Sequence, residues 1–319
     1  MKPVAVGGCN FYLQNCVRAD SLAPCFFIFG DSLSDSGNNN FLPTTAKANY
    51  FPYGIDFPGG STGRFTNNFN SVDYLAKFMG VDLIQPFTNT SGSNILKGVN
   101  YASGAGGILD DTGILQGDRL NLRSQITKHK LIFTSVAVKL GGVDAAKQYL
   151  SKCLYHMNIG RNDYFDNYLK PFFSLTTFTD DLIARYALQI KALYGVGARK
   201  FALVGLGPIG CVPRKRNTNE YNGKASFIMV NSSAISSQSP AFLALKNKND
   251  SCCKTVSSTG LCVKNVTPCQ DRDNYVFWDG LHTTDAAHKI YALSQFNASN
   301  SNFTYPMDIT HLLSLSLSS

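Results

Sequence analysis

Residues 25–39 decide the fold and read Cys25-Phe26-Phe27-Ile28-Phe29-Gly30-Asp31-Ser32-Leu33-Ser34-Asp35-Ser36-Gly37-Asn38-Asn39. The apolar run at its start predicts a buried strand. Ser32 follows that strand inside a turn rich in Gly, Asp and Asn. A serine in this position projects its hydroxyl from the edge of a sheet, which is where a nucleophile is needed.

Strands and helices alternate along the chain on either side of this stretch. Further strands are predicted at residues 99–103, 153–159, 200–204 and 275–277. Helical periodicity predicts helices at 67–79 and 119–140, one capped by Thr179, and a last one capped by Thr283 or Thr284. This alternation predicts a parallel sheet covered on both faces, with active-site residues where the carboxyl ends of strands meet loops.

The composition is that of a globular protein, with 44% hydrophobic and 16% charged residues in 319. We expect one domain at 25–312, a signal-like or disordered N-terminus at 1–24 and a tail at 313–319. The net charge of +8 is scattered, which favours a solvated basic surface over nucleic-acid binding and leaves affinity for acidic polymers or membrane surfaces open. We expect no membrane span, because 18 consecutive apolar residues do not occur. We also expect a monomer.

Nine cysteines are many for a cytosolic protein. Cys252, Cys253, Cys262 and Cys269 predict a disulfide-stapled loop, and therefore a secreted protein from an oxidising compartment. A zinc knuckle is the alternative, although vicinal cysteines have poor spacing for zinc ligands. Asn-x-Ser/Thr sequons and a broken apolar run near the N-terminus add weak support for secretion and glycosylation.

A nucleophilic serine needs a general base, and that base needs an orienting partner. His282 is the best base among five histidines, and Asp279 lies three residues before it. This spacing lets the carboxylate reach the imidazole Nδ1–H and leaves Nε2 free for Ser32. The alternative is that Asp279 caps a turn and His282 is a surface residue.

Acyl transfer also needs donors for the developing oxyanion. Three are available: the backbone N–H groups of Ser32 and Gly104, and the side-chain amide of Asn162. Gly104 has no Cβ, so its backbone can closely approach a substrate. The alternatives are a tight turn at Gly104 and an Asx-turn at Asn162.

Four segments together resemble the plant-type GDSL esterase/lipase family of the SGNH hydrolase superfamily, namely 29–39, 99–104, 158–164 and 277–282. Residues 195–200, 205–211 and 305–308 also fit it. The resemblance implies a flavodoxin-like three-layer α/β/α sandwich with a mainly parallel sheet. It implies ester hydrolysis through an acyl-enzyme on Ser32, without metal or cofactor, on a lipid or small ester. His282 would be the base, Asp279 its partner, and Ser32, Gly104 and Asn162 the oxyanion hole.

The chain departs from the family between Cys211 and Cys252, where family members are considerably longer. Segment 213–250 is shortened, so we expect a sheet that lacks one strand. Because this gap lies upstream of His282, it could misplace the base. The alternative function is a catalytically impaired relative that binds a lipid or a carbohydrate.

Two glycine motifs are weaker candidates. Residues 59–63 match the nucleophile-elbow pattern G-x-S-x-G, but they lack the preceding strand that this pattern requires. Residues 205–210 match G-x-G-x-x-G, but Cys211-Val212-Pro213 follows where a dinucleotide fold needs a helix. Neither motif predicts a site here.

Overall fold

A parallel three-stranded sheet forms the centre of the computed structural model, which describes residues 21–167, 174–207, 209–216, 240–298 and 304–316. Its strands are β1 (Phe26–Gly30), β2 (Leu154–Asn158) and β3 (Lys200–Leu203), in the order β1-β2-β3. The register pairs Phe26 with Leu154 and Leu154 with Lys200. The strands predicted at 153–159 and 200–204 are thereby confirmed.

The segment 97–103 runs beside the free edge of β1. Tyr101 N–H donates to Ile28 O at 2.8 Å, and Ser103 N–H donates to Gly30 O at 3.1 Å. The prediction of a regular strand at 99–103 is nevertheless wrong, since only isolated bridges form at Asn100. The Gly30 N–H, which would continue this pairing by donating to the Tyr101 carbonyl, donates instead to Gln125 Oε1 at 2.9 Å.

Nine helices are present in the described part of the chain. Their bounds are α1 Ser71–Phe78, α2 Leu122–Leu140, α3 Val143–Leu150, α4 Arg161–Asp166, α5 Leu175–Gly195, α6 Pro213–Arg216, α7 Pro240–Leu243, α8 Asp285–Phe296 and α9 Ile309–Ser314. None of the described helices is long and apolar enough to cross a membrane.

Alternate side chains of β1 point to opposite faces of the sheet, as the pleat requires. Phe27 and Phe29 pack in one apolar cluster with residues of α2, α3 and α5. Phe26 and Ile28 pack in a second cluster with residues of α1, α8 and α9. Helices therefore cover both faces, which confirms the predicted three-layer α/β/α arrangement around a parallel sheet.

The helix starts follow the capping side chains. Asn70 caps α1, so this helix begins later than the predicted residue 67. Ser174 Oγ accepts the Thr177 N–H at 3.1 Å and starts α5, so the predicted cap at Thr179 is wrong and that residue lies inside the helix. Thr284 caps α8, which confirms one of the two residues proposed for that position.

A second, two-stranded parallel sheet pairs β4 (Asn247–Ser251) with β5 (Tyr275–Phe277). Disulfides join Cys252 to Cys269 and Cys253 to Cys262, so the predicted stapled loop is confirmed. A third disulfide joins Cys25 to Cys153. The loop therefore extends from the end of β4 and lies beside β5.

Two of the predicted regions lie partly outside the described residues, and the boundary of a third differs from the prediction. Residues 1–20 of the signal-like N-terminus lie outside them. So do residues 217–239, which hold most of the shortened segment and with it the question of the missing strand. Helix α9 runs to Ser314 with Leu313 buried, so the packed chain includes residues 313 and 314, which we expected to belong to the tail.

Candidate active site

The turn after β1 places Ser32 at the carboxyl edge of the sheet. The Ser34 and Asp35 N–H groups donate to Asp31 O at 3.1 and 3.0 Å, and Asp31 Oδ1 accepts the Leu33 N–H at 2.9 Å. A Cβ at Gly30 would lie 2.8 Å from Asn158 O, so the close approach of β1 and β2 requires glycine there. Ser32 itself is only 5% exposed.

The structure brings Ser32, His282 and Asp279 together from opposite ends of the chain. His282 Nε2 lies 2.7 Å from Ser32 Oγ. His282 Nδ1 lies 2.8 Å from Asp279 Oδ2 and 2.9 Å from Oδ1. With Nδ1–H donating to the carboxylate, Nε2 carries the lone pair that accepts the Ser32 O–H. Neither Asp279 nor His282 is a surface residue, since they are 0% and 3% exposed.

The Asp279 carboxylate accepts three further hydrogen bonds. Its Oδ1 receives the N–H groups of Leu281 at 2.8 Å and His282 at 2.7 Å. Its Oδ2 receives the hydroxyl of Tyr53 at 2.5 Å. The sequence does not indicate a role for Tyr53, because 226 residues separate it from Asp279 and no local motif links the two.

An aromatic ring contacts the imidazole and belongs to a cluster that includes the disulfide loop. The Phe65 ring lies 4.8 Å from the His282 ring, centre to centre. Phe65, Tyr53 and Trp278 share one buried cluster with Cys253 and Cys262. The loop therefore packs against the residues that hold His282 in place.

The backbone N–H of Gly104 already has a partner. It donates to Asp35 Oδ2 at 3.0 Å, and the Gly104 carbonyl accepts from Asn39 Nδ2 at 3.0 Å. A Cβ at position 104 would come 2.8 Å from the Phe65 ring, so the site requires glycine. The N–H that the sequence predicts as an oxyanion donor is thus bonded to Asp35 in the structure.

Asn162 follows Gly160 at the start of α4 and reaches the same glycine-rich loop. Its Nδ2 donates to Gly106 O at 3.0 Å, which uses one of its two amide hydrogens. Asp163 holds the continuation of that loop by accepting the N–H groups of Ile108 and Leu109, each at 2.9 Å. Asn162 and Asp163, which are adjacent in the sequence, thus provide a side-chain amide and a carboxylate that holds the loop.

Burial perturbs the acidic groups around the site. It raises the pKa of Asp35 and of Asp163 to about 6 in each case, against the hydrogen bonds that favour their charged forms. It also raises the pKa of Asp31, an effect that the nearby Arg161 guanidinium opposes. Arg161 Nη1 donates to Leu281 O at 3.2 Å and so contacts the loop that carries His282.

Within the described residues, no group of three or more His, Cys, Asp or Glu side chains is arranged to hold a metal ion.

Residues 26–294 match the family model for GDSL-like Lipase/Acylhydrolase. The chain belongs to this family. Two GDSL esterase/lipases of Arabidopsis thaliana are 39% and 40% identical to it, over 94% and 93% of this chain and 95% and 93% of theirs. GDSL esterase/lipase 7 of the same plant is 38% identical over 92% of this chain and 93% of its own.

Membership of the GDSL family identifies the protein as a carboxylic-ester hydrolase. The alignment with the 39% identical relative spans 344 positions, more than the 319 residues of this chain. That GDSL relative therefore carries residues inside the aligned span that this chain lacks. The Ser32–His282 contact is present in this shorter member of the family.

Proposed function

We propose that this chain is a serine esterase that cleaves carboxylic acyl esters through an acyl-enzyme on Ser32. The observation that supports this most directly is the 2.7 Å contact between Ser32 Oγ and His282 Nε2, continued by the contact of Nδ1 with Asp279. Removal of the hydroxyl proton by Nε2 allows Oγ to attack the ester carbonyl. The same proton then passes to the departing alkoxide, and water hydrolyses the acyl-enzyme by the reverse route.

The negative charge that develops on the carbonyl oxygen needs donors close to Ser32. Asn162 is the donor we propose first, because its amide has a second hydrogen beyond the one bonded to Gly106. The backbone N–H of Ser32 is the second. Gly104 N–H is the third, and it must be shared with or released from Asp35 during the reaction.

We propose that the ester carries an apolar acyl chain. Phe41, Ile114 and Leu115 are 81%, 62% and 93% exposed. They lie on two loops that follow the Ser32 and Gly104 segments, and these loops are joined by an antiparallel bridge between Thr44 and Gly117. Apolar side chains exposed together next to a catalytic edge favour contact with a lipid ester.

We also propose that the protein works in an oxidising, extracellular compartment. The three disulfides support this, because such bonds persist mainly in secreted proteins.

Covalent labelling with a fluorophosphonate, together with p-nitrophenyl ester hydrolysis, tests the function. The wild-type protein should be labelled on Ser32 and should hydrolyse the ester, while Ser32→Ala loses both. Ser135→Ala, at an exposed serine of α2, should behave as wild type. A folded wild-type protein that is neither labelled nor active on any ester would overturn the proposal and favour a lipid- or carbohydrate-binding relative.

A further inference from the structure

The hydroxyl of Tyr53 lies between the catalytic carboxylate and the disulfide loop. It donates to Asp279 Oδ2 at 2.5 Å and accepts the Cys262 N–H at 3.1 Å. The Tyr53 side chain is wholly buried. Because the phenol has a single proton and the Cys262 N–H holds its oxygen from the other side, the O–H direction is fixed toward Asp279.

The disulfide loop also holds the strand end that carries Asp279. Cys253 N–H donates to Trp278 O at 2.9 Å, and Gly280 N–H donates to Gly260 O at 2.8 Å. The residues on both sides of Asp279 are thus bonded to the segment closed by the Cys253–Cys262 disulfide. Tyr53 is the side-chain link between that segment and the carboxylate itself.

The phenol remains a donor under all ordinary conditions. Burial, and after it the charge of Asp279, raise the pKa of Tyr53 well above its usual value. A neutral phenol therefore faces the carboxylate throughout the pH range of catalysis, and Tyr53 has no proton to exchange with the substrate.

We propose that Tyr53 is a positioning residue for Asp279, which fixes the Oδ2 atom and withdraws part of the negative charge that Asp279 presents to His282. This inference rests on the proposed esterase function. Without the phenol, Asp279 would hold the protonated imidazolium more strongly, and its carboxylate would be less well oriented. The enzyme would then need a higher pH to be active and would turn over more slowly.

Other charged and titratable groups also surround His282 and Asp279. Asp31 and His288 interact electrostatically with His282, and Arg161 donates to the neighbouring Leu281 carbonyl. Tyr50 interacts with Asp279 and donates to Cys262 O at 2.9 Å. Tyr53→Phe removes none of these groups, and a shift in its pH profile is therefore compared with that of a tyrosine variant elsewhere in the fold.

Tyr53→Phe tests the inference, because it removes the hydroxyl and keeps the ring. We expect kcat for a p-nitrophenyl ester to fall about 10-fold. We expect the acidic midpoint of the kcat/KM profile to rise by roughly half to one pH unit. Tyr74→Phe is the matched control, since Tyr74 donates to Asp285 Oδ1 at 2.7 Å in another tyrosine–aspartate pair. The control should keep the wild-type midpoint.

An active wild type whose midpoint is unchanged in Tyr53→Phe would overturn the inference and leave the esterase function intact. An inactive, unlabelled wild type would instead contradict the esterase function. If Tyr53→Phe does not fold, a fluorotyrosine at position 53 keeps the fold and strengthens the donor, so the midpoint should move to lower pH. An unchanged or raised midpoint with fluorotyrosine would again overturn the inference.

Discussion

Asp35 and Gly104 are joined by a hydrogen bond from the Gly104 N–H to Asp35 Oδ2, 3.0 Å long. Asp35 Oδ1 accepts the N–H groups of Gly37 and Asn38, both at 2.8 Å. One wholly buried carboxylate thus ties the turn that follows Ser32 to the glycine-rich loop. This carboxylate therefore links the segment of Ser32 to that of Gly104, one of the proposed oxyanion donors.

Asp35→Asn should reveal this buried carboxyl in the pH dependence of stability. Burial raises its pKa from the usual 3.8 to about 6, so the folded state favours the neutral form. Its stabilising contribution is full below about pH 4 and is lost as the pH rises through about 6. The unfolding free energy of the wild type should therefore fall relative to that of Asp35→Asn, by about 2.5 kcal/mol between pH 4 and 7.

Urea denaturation of both proteins across this range measures the difference. Titrations common to both proteins, such as those of the buried histidines, cancel in it. A difference that stays constant from pH 4 to 7 would contradict the assignment to Asp35.

Asn162→Ala should remove one proposed oxyanion donor. A single donor of this kind is typically worth about 10²–10³ in rate, so kcat should fall by that factor with little change in KM. Initial rates on a p-nitrophenyl ester measure both constants. Asn89→Ala, at an exposed asparagine of a 3₁₀ turn, should keep wild-type rates. A fall in kcat below threefold would argue against the donor role.

The sequence predicts those parts of the fold and site that local patterns encode. The strand before Ser32, the strand at 275–277 and the Thr284 cap follow from apolar runs and capping side chains, and each is present. The spacing of Asp279 and His282 within one turn is local too. Their convergence with Ser32 follows from the rule that active-site residues gather at the carboxyl ends of parallel strands.

What the sequence does not predict depends on partners that are distant along the chain. Tyr53 meets Asp279 across 226 residues, and nothing near either residue indicates the pairing. The engagement of Gly104 by Asp35 likewise spans 69 residues. The strand expected at 99–103 pairs incompletely with β1, because the Gly30 N–H donates to the Gln125 side chain, 95 residues away along the chain.

Removal of two different disulfides should separate stability from activity. Cys253→Ser/Cys262→Ser opens a link of sequence separation 9, and Cys25→Ser/Cys153→Ser opens one of 128. Loop-closure entropy predicts losses of about 2.5 and about 5 kcal/mol in unfolding free energy, respectively. The segment closed by the shorter link is hydrogen-bonded to the residues on both sides of Asp279, whereas the longer link lies at the amino ends of β1 and β2. The variant that loses less stability should therefore lose more kcat.

Denaturation curves and ester kinetics on both double variants test whether the variant that loses less stability also loses more kcat. The kinetics should be measured well below each unfolding midpoint, so that only folded protein contributes. Equal losses of kcat in the two variants would show that the shorter link does not support the triad.

Asp73→Asn should destabilise the protein strongly, because it leaves a buried guanidinium without the carboxylate that it contacts. Arg64 Nε and Nη2 contact the two Asp73 oxygens at 2.7 and 2.8 Å, with both side chains nearly inaccessible. Breaking a buried pair in this way typically costs about 3–5 kcal/mol. The exposed Arg185–Asp181 pair has the same type of contact at 2.8 Å, and Asp181→Asn should cost less than about 1 kcal/mol. Urea denaturation at pH 7 compares the two variants, and similar losses would contradict the prediction that burial decides the cost.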